Sequence, residues 1–168
     1  HQAIQDKQSV AVAGIDPRCD RLPPELARQA DGCDEARRSR VPEAFLRFGM
    51  GIVDAVHDLV PAVKPNLAFF EAWGTEGIAA YNGICEYACA NGLLVIGDAK
   101  RGDIGSTAAA YAEALFGGPL GPHDAVTLNP YLGSDSLQPF LDRALPDGRG
   151  VYRSEERRVG KECATGCR

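Results

Sequence analysis

Between residues 10 and 152 the chain alternates short apolar runs with longer stretches in which apolar residues return every three or four positions. The run VAVAGID (10–16) predicts a first strand. After a proline-rich loop, PEAFLRFGMGIVDAVHDLV (42–60) has helical spacing, and Pro42 suits a helix start. PAVKPN (61–66) predicts a short second strand, and GTEGIAAYNGICEYACANG (74–92) a helix stopped by Asn91-Gly92. LLVIGDAK (93–100) predicts a third strand, followed by a helix over STAAAYAEALF (106–116) with Ser106 or Thr107 as its cap. AVTLNP (125–130) predicts a fourth strand, SDSLQPFLDRAL (134–145) a helix, and GVY (150–152) the opening of a fifth strand.

Strands that alternate strictly with helices pair in parallel, with the helices as crossovers. Two architectures satisfy that rule, an open doubly wound sheet and a (β/α)8 barrel. No G-x-G-x-x-G follows the first strand, which removes the usual dinucleotide argument for the open sheet. The strand ends favour the barrel. Asp16-Pro17, Lys64-Pro65 and Asn129-Pro130 each place a polar residue before a proline, which holds that residue extended. Asp98 and Lys100 close the third strand at i and i+2, on one face of a regular pleat. Barrel active sites are assembled at such C-terminal strand ends. The expected fold is therefore α/β, a partial TIM (β/α)8 barrel of about four βα units plus the start of a fifth strand; a whole barrel takes roughly 250 residues.

Composition narrows the picture. The chain has 168 residues, 45% hydrophobic and 24% charged, with a net charge of −5. That balance supplies no basic field for nucleic acid, and no apolar run approaches the roughly 20 residues of a membrane-spanning helix. No leader-like segment opens the chain, so the expected location is cytoplasmic. Of the six cysteines, Cys19 and Cys33 lie in polar loop sequence and suggest a reduced setting rather than a disulfide framework. Cys85 and Cys89, and Cys163 and Cys167, have a spacing that zinc sites can use, but a cysteine in an apolar helix reads first as a small buried hydrophobe. From Arg153 the character changes: RSEERRVGKECATGCR crowds five basic and three acidic residues where a core strand should continue. The expected organisation is a truncated barrel domain over 1–152 and a foreign or disordered tail over 153–168.

The chemistry concentrates in VIGDAKRGDIGST (95–107), with Asp98, Lys100, Arg101 and Asp103 in six positions. If the strand ends meet, Asp16, Lys64, Asp98 and Lys100 form an alternating array of acids and amines. Opposite charges about 4 Å apart attract by roughly 4 kcal/mol at an effective dielectric near 20, which offsets the cost of partly drying them. Such an array can hold a fixed field and keep an ammonium beside a reacting atom.

The same residues carry a family resemblance. DAKRGDIGST holds an Asp-x-Lys-x-x-Asp motif, followed by Ile104 and Thr107, and GIDP, VKPNLAFFE and TLNPYLGSDSL appear around it in family order. Together, over residues 10–152, they resemble the bacterial subgroup of orotidine 5'-phosphate decarboxylases. The resemblance implies a cofactor-free and metal-free decarboxylation of orotidine 5'-phosphate to UMP, a step of pyrimidine synthesis, by a homodimeric barrel. It implies that Lys100 protonates C6 of the pyrimidine, that Asp98 faces the departing carboxylate, and that Asp16 and Lys64 contact the ribose, Lys64 also joining the charge network. Asp103 would cross the dimer interface with Ile104 and Thr107 beside it, and Asn129 would join the substrate-binding set. The phosphate grip would come from later strands, so the 168-residue chain alone is expected to be inactive and poorly stable.

Other residues invite blander readings. Arg101 is expected to face solvent or pair locally, His57 and His123 to be structural, and Phe69, Phe70 and Trp73 to pack in the core or a dimer interface. Tyr131 and Ser134 stand where a substrate contact is conceivable. The nearest rival is a Mg²⁺-dependent enzyme of the same architecture acting on a keto-sugar phosphate, but Lys64 stands where that chemistry wants an acid.

Overall fold

The computed structural model describes residues 1–30 and 37–153. Cys33, Cys163, Cys167 and all of the charged segment except Arg153 lie outside the described residues. In chain order the elements are α1 (Gln2–Lys7), β1 (Val12–Ile15), α2 (Pro24–Ala30), α3 (Arg37–Val56), β2 (Ala62–Pro65) and α4 (Leu67–Glu71). There follow α5 (Gly74–Ala90), β3 (Leu94–Arg101), α6 (Gly105–Phe116), β4 (Ala125–Leu128), α7 (Ser134–Ala144) and β5 (Gly150–Arg153).

The five strands form one parallel sheet in the order β1-β2-β3-β4-β5. A doubly wound sheet reverses its strand order at a switch point. This one never reverses, so each crossover helix falls on the same side and the sheet is an arc of a barrel.

The two faces of the arc are built differently. Ile15, Val63, Val95, Val126 and Leu128 point to the helices and join the main core with Phe45, Phe70, Tyr81, Ile84, Leu115 and Phe140. Edge-to-face contacts lock that layer, with ring centroids 6.0 Å apart for Phe45–Phe70 and 5.4 Å for Phe70–Tyr81. At alternate positions Ala62, Ile96 and Ala125 form a separate small cluster on the concave side. The same period of two carries that concave row upward: Ala62 to Lys64, Ile96 to Asp98, Ala125 to Thr127.

Local departures from the sequence reading have local causes. α3 begins at Arg37 rather than at Pro42, which lies inside the helix. It ends at Val56, so His57 to Leu59 form a turn. α1 and α2 were not anticipated, and α4, five residues long, is too short to show a period; Asn66 caps it by accepting from the Ala68 N–H at 3.4 Å. Neither Ser106 nor Thr107 caps α6. Both already lie inside its first turn, and a cap must be non-helical. Gly105, at φ +54°, makes that turn instead, while Asp103 Oδ1 accepts from the Ile104 N–H at 2.8 Å. Asn91-Gly92 does end α5, with Gly92 at φ +74°. Among the described residues no helix is long and apolar enough to cross a membrane.

Candidate active site

The upper rim of the concave face carries the charge. Lys64, next to last in β2, reaches one row up, its Nζ 2.5 Å from Asp98 Oδ2. Lys100 Nζ binds the other oxygen, Asp98 Oδ1, at a short separation. That oxygen also accepts from the Thr127 hydroxyl at 2.9 Å. Asp98 is only 5% exposed, whereas the side chains of Lys64 and Lys100 are 33% and 54% exposed. Burial by itself would raise the Asp98 carboxyl. Hydrogen bonds from Lys100, Lys64 and Thr127 outweigh it and hold the group below the ordinary carboxylate range.

Regular pleating does not produce this convergence. The β3–β4 register runs Gly97 to Val126 and then Arg101 to Leu128, so Asp98, Ala99 and Lys100 together oppose Thr127 alone. The strand bulges there, and Lys100 takes a left-handed backbone at φ +47°. Bulges redirect side chains and are common beside active sites. A non-glycine residue at positive φ persists only where its surroundings hold it. Here the Lys100 N–H donates to Thr127 Oγ1 at 3.0 Å, and the Asn129 N–H closes the bulge on the Arg101 carbonyl at 2.8 Å.

Three of the four predicted charges are thus joined. Asp16 is not: among the described residues it makes no ion pair or side-chain hydrogen bond. Register explains the separation. Gly14, not Asp16, lies opposite Lys64, and the Asn66 N–H bonds the Ile15 carbonyl, which sets Asp16 level with Asn66 at the exposed rim. The expected mutually neutralising quartet is therefore a trio of Lys64, Asp98 and Lys100, with Asp16 beside it.

Asp103, Ile104 and Thr107 lie together on the β3–α6 loop and the first turn of α6, with Ile104 59% exposed. Asn129 is exposed just beyond β4, and its Oδ1 accepts from the Tyr131 N–H at 3.0 Å, forming a turn that leaves Tyr131 89% exposed. Ser134 opens α7 on the same rim and is exposed. Arg101 pairs with Glu71 of α4 and lies over the Tyr111 ring, 5.7 Å from its centroid. Thr127 is the residue that sequence reasoning missed. The available signal was one hydroxyl inside the otherwise apolar AVTL, two positions before Asn129 and so on the same face.

The remaining polar groups are structural in geometry. His123 is buried; its Nδ1–H donates to the Leu115 carbonyl at 2.8 Å and its Nε2 accepts from the Tyr81 hydroxyl at 2.8 Å. Burial pushes its pKa down. His57 pairs with Asp58 at 3.1 Å, and the buried Cys85 thiol is pushed up to about 12 by burial. Phe70 is fully buried, while Phe69 and Trp73 pack partly buried against the same core.

Comparison with known proteins adds an independent line. The family model described as orotidine 5'-phosphate decarboxylase / HUMPS family matches residues 46–156. Orotidine 5'-phosphate decarboxylases from Rhodopirellula baltica and Herpetosiphon aurantiacus are each 45% identical, over 156 and 142 residues, covering 89% and 84% of this chain. The chain spans about half the length of these curated relatives, 50% and 48% respectively. A crystal structure from Streptomyces avermitilis, provisionally named orotidine 5'-phosphate decarboxylase, superposes with a TM-score of 0.74 at 38% identity. That match covers 90% of this chain and 49% of the other.

Proposed function

We propose, on the premise that the chain belongs to the orotidine 5'-phosphate decarboxylase / HUMPS family, that the whole protein converts orotidine 5'-phosphate to UMP and CO2. The observation that carries this reading is a single buried carboxylate, Asp98, gripped on both oxygens by ammonium groups from two adjacent strand ends. The reaction breaks the bond between C6 and its carboxylate. The electron pair stays on C6, where the ring cannot delocalise it, and CO2 departs. Lys100 then gives its Nζ proton to C6. A preorganised cation at that carbon lowers the barrier, and the same group is the acid that captures the carbanion. Asp98 faces the departing carboxylate and keeps Lys100 aimed.

Lys64 contacts the ribose while sharing Asp98, and Asp16, Asn129 and Thr107 supply further substrate contacts. Asp16 suits that role because its carboxylate, unlike Asp98, is exposed and bonds no lysine among the described residues. The protein acts as a homodimer in the cytoplasm, with Asp103 and Ile104 of each subunit completing the partner's site. The exposure of that loop supports the assignment. A metal-dependent keto-sugar-phosphate reaction is disfavoured by the donor set, since Lys64 and Lys100 already occupy both oxygens of Asp98.

The test is UMP formation by the whole protein, followed at the pyrimidine absorbance. Lys100→Ala is expected to lower turnover by at least ~10⁴-fold, the combined loss of acid and field. Near-normal turnover in that variant would end the proposal. Mixing Lys100→Ala with Asp103→Ala subunits should restore measurable activity, because one site of each hybrid dimer is then intact.

A further inference from the structure

The bulge poses a mechanical question: what keeps a lysine in the left-handed region, with its ammonium folded back on the carboxylate two residues earlier? A free strand end would relax toward ordinary extended geometry, swinging Lys100 away from Asp98. We propose that Thr127 is a positioning residue for the reaction, its one hydroxyl pinning the Asp98–Lys100 bulge in register with β4.

The inference rests on the decarboxylase reading of this site and deepens it. A hydroxyl has one proton to donate and two lone pairs to accept with. Thr127 spends the proton on Asp98 Oδ1 at 2.9 Å and accepts the Lys100 backbone N–H at 3.0 Å. It thereby ties the side chain of one end of the bulge to the backbone of the other. The Lys100 N–H is otherwise poorly served, because three residues of β3 stand opposite this one residue of β4 and the regular ladder runs out there. Thr127 is itself buried in a strand whose four residues are all buried, so water is a poor substitute for its hydroxyl. Displacing a reacting group by about an ångström can cost ~10²-fold in rate, which is the scale at which a pin of this kind matters.

The charged and titratable groups around Asp98 are Lys64 from β2, Lys100 from its own strand and the Tyr81 phenol from α5 behind it. All three side chains are retained when the Thr127 hydroxyl is removed, so the hydroxyl can be tested separately. Thr127→Val keeps the branched shape and removes the hydroxyl, and Thr127→Ser keeps the hydroxyl and removes a methyl. In the whole protein Thr127→Val is expected to lower kcat by ~10²-fold with KM within ~3-fold, and Thr127→Ser to recover most of kcat. A carboxyl-carbon NMR titration should show Asp98 taking up its proton at higher pH in Thr127→Val than in Thr127→Ser. Wild-type kcat and an unshifted Asp98 titration in Thr127→Val would overturn the proposal. Equal impairment of the valine and serine variants would also overturn it, by assigning the role to packing. If Thr127→Val fails to fold, Thr127→Ala carries the same comparison with serine. Should Lys100→Ala turn over normally, the decarboxylase reading falls, yet the Asp98 titration still decides whether Thr127 holds the bulge.

Discussion

Gly97 and Asp98 are neighbours on β3, and each serves a polar cluster on its own side of the sheet. On the concave side Asp98 meets two ammonium groups and a hydroxyl at the open rim. On the helix side His123 and Tyr81 exchange one neutral hydrogen bond in the sealed core, so close behind Gly97 that an added Cβ would lie 2.9 Å from the imidazole ring. The difference teaches how one strand can carry both chemistry and packing. Charge survives at the rim because each carboxylate oxygen has a cationic partner and the lysines remain partly hydrated. Behind the strand no such hydration exists, so burial keeps the imidazole neutral and each ring nitrogen finds one neutral partner. The first arrangement is poised to interact with a ligand; the second is already satisfied.

The largest effect that would break this contrast is loss of activity from the rim alone. Asp98→Asn leaves two lysines without their shared anion, and turnover is expected to fall by ~10³-fold in a steady-state assay. The corresponding change behind the strand should read out only in stability. His123→Phe orphans the Tyr81 hydroxyl and the Leu115 carbonyl, and should cost ~3 kcal/mol in urea unfolding with kcat for the folded protein unchanged. A large fall in kcat at full folding would erase the distinction. Gly97→Ala pushes a methyl against that ring and should cost ~1–3 kcal/mol, visible as a lower midpoint of thermal unfolding.

The smallest effect is a difference in pH windows. His123 is held below its ordinary 6.5, so the unfolded chain takes up the proton first and stability falls as pH drops below that value. Asp98 is held below its ordinary 3.8, so its contribution persists to more acid pH and fades only below that value. Unfolding midpoints measured from pH 7 to 3 should lose the upper slope in His123→Phe and the lower one in Asp98→Asn.

Much of this was legible in the sequence, for identifiable reasons. A parallel strand buried on both faces is a short apolar run, and LLVIGDAK and AVTLNP showed it; VAVAGID is as apolar, but its strand lies at the sheet edge with Val12 exposed. Proline after Asp16, Lys64 and Asn129 marked where those runs stop, because its ring restricts the residue before it. Less legible were features set by alignment between distant segments. The early start of α3 and the five-residue α4 leave no periodic trace. That Asp16 stands outside the trio could not be read, since a register that pairs Gly14 with Lys64 depends on how two strands slide past each other.

What the amino-acid order determined by itself is the alternation of strands and helices, the family, and the placing of Asp98, Lys64 and Lys100 at strand ends. Those properties follow from local sterics and from which residues avoid water. Only the tertiary structure decided that the acids and amines close as a trio rather than a quartet, that β3 bulges, and that Thr127 spans the bulge. Each of those rests on hydrogen bonds between strands remote in sequence, whose register no single strand encodes.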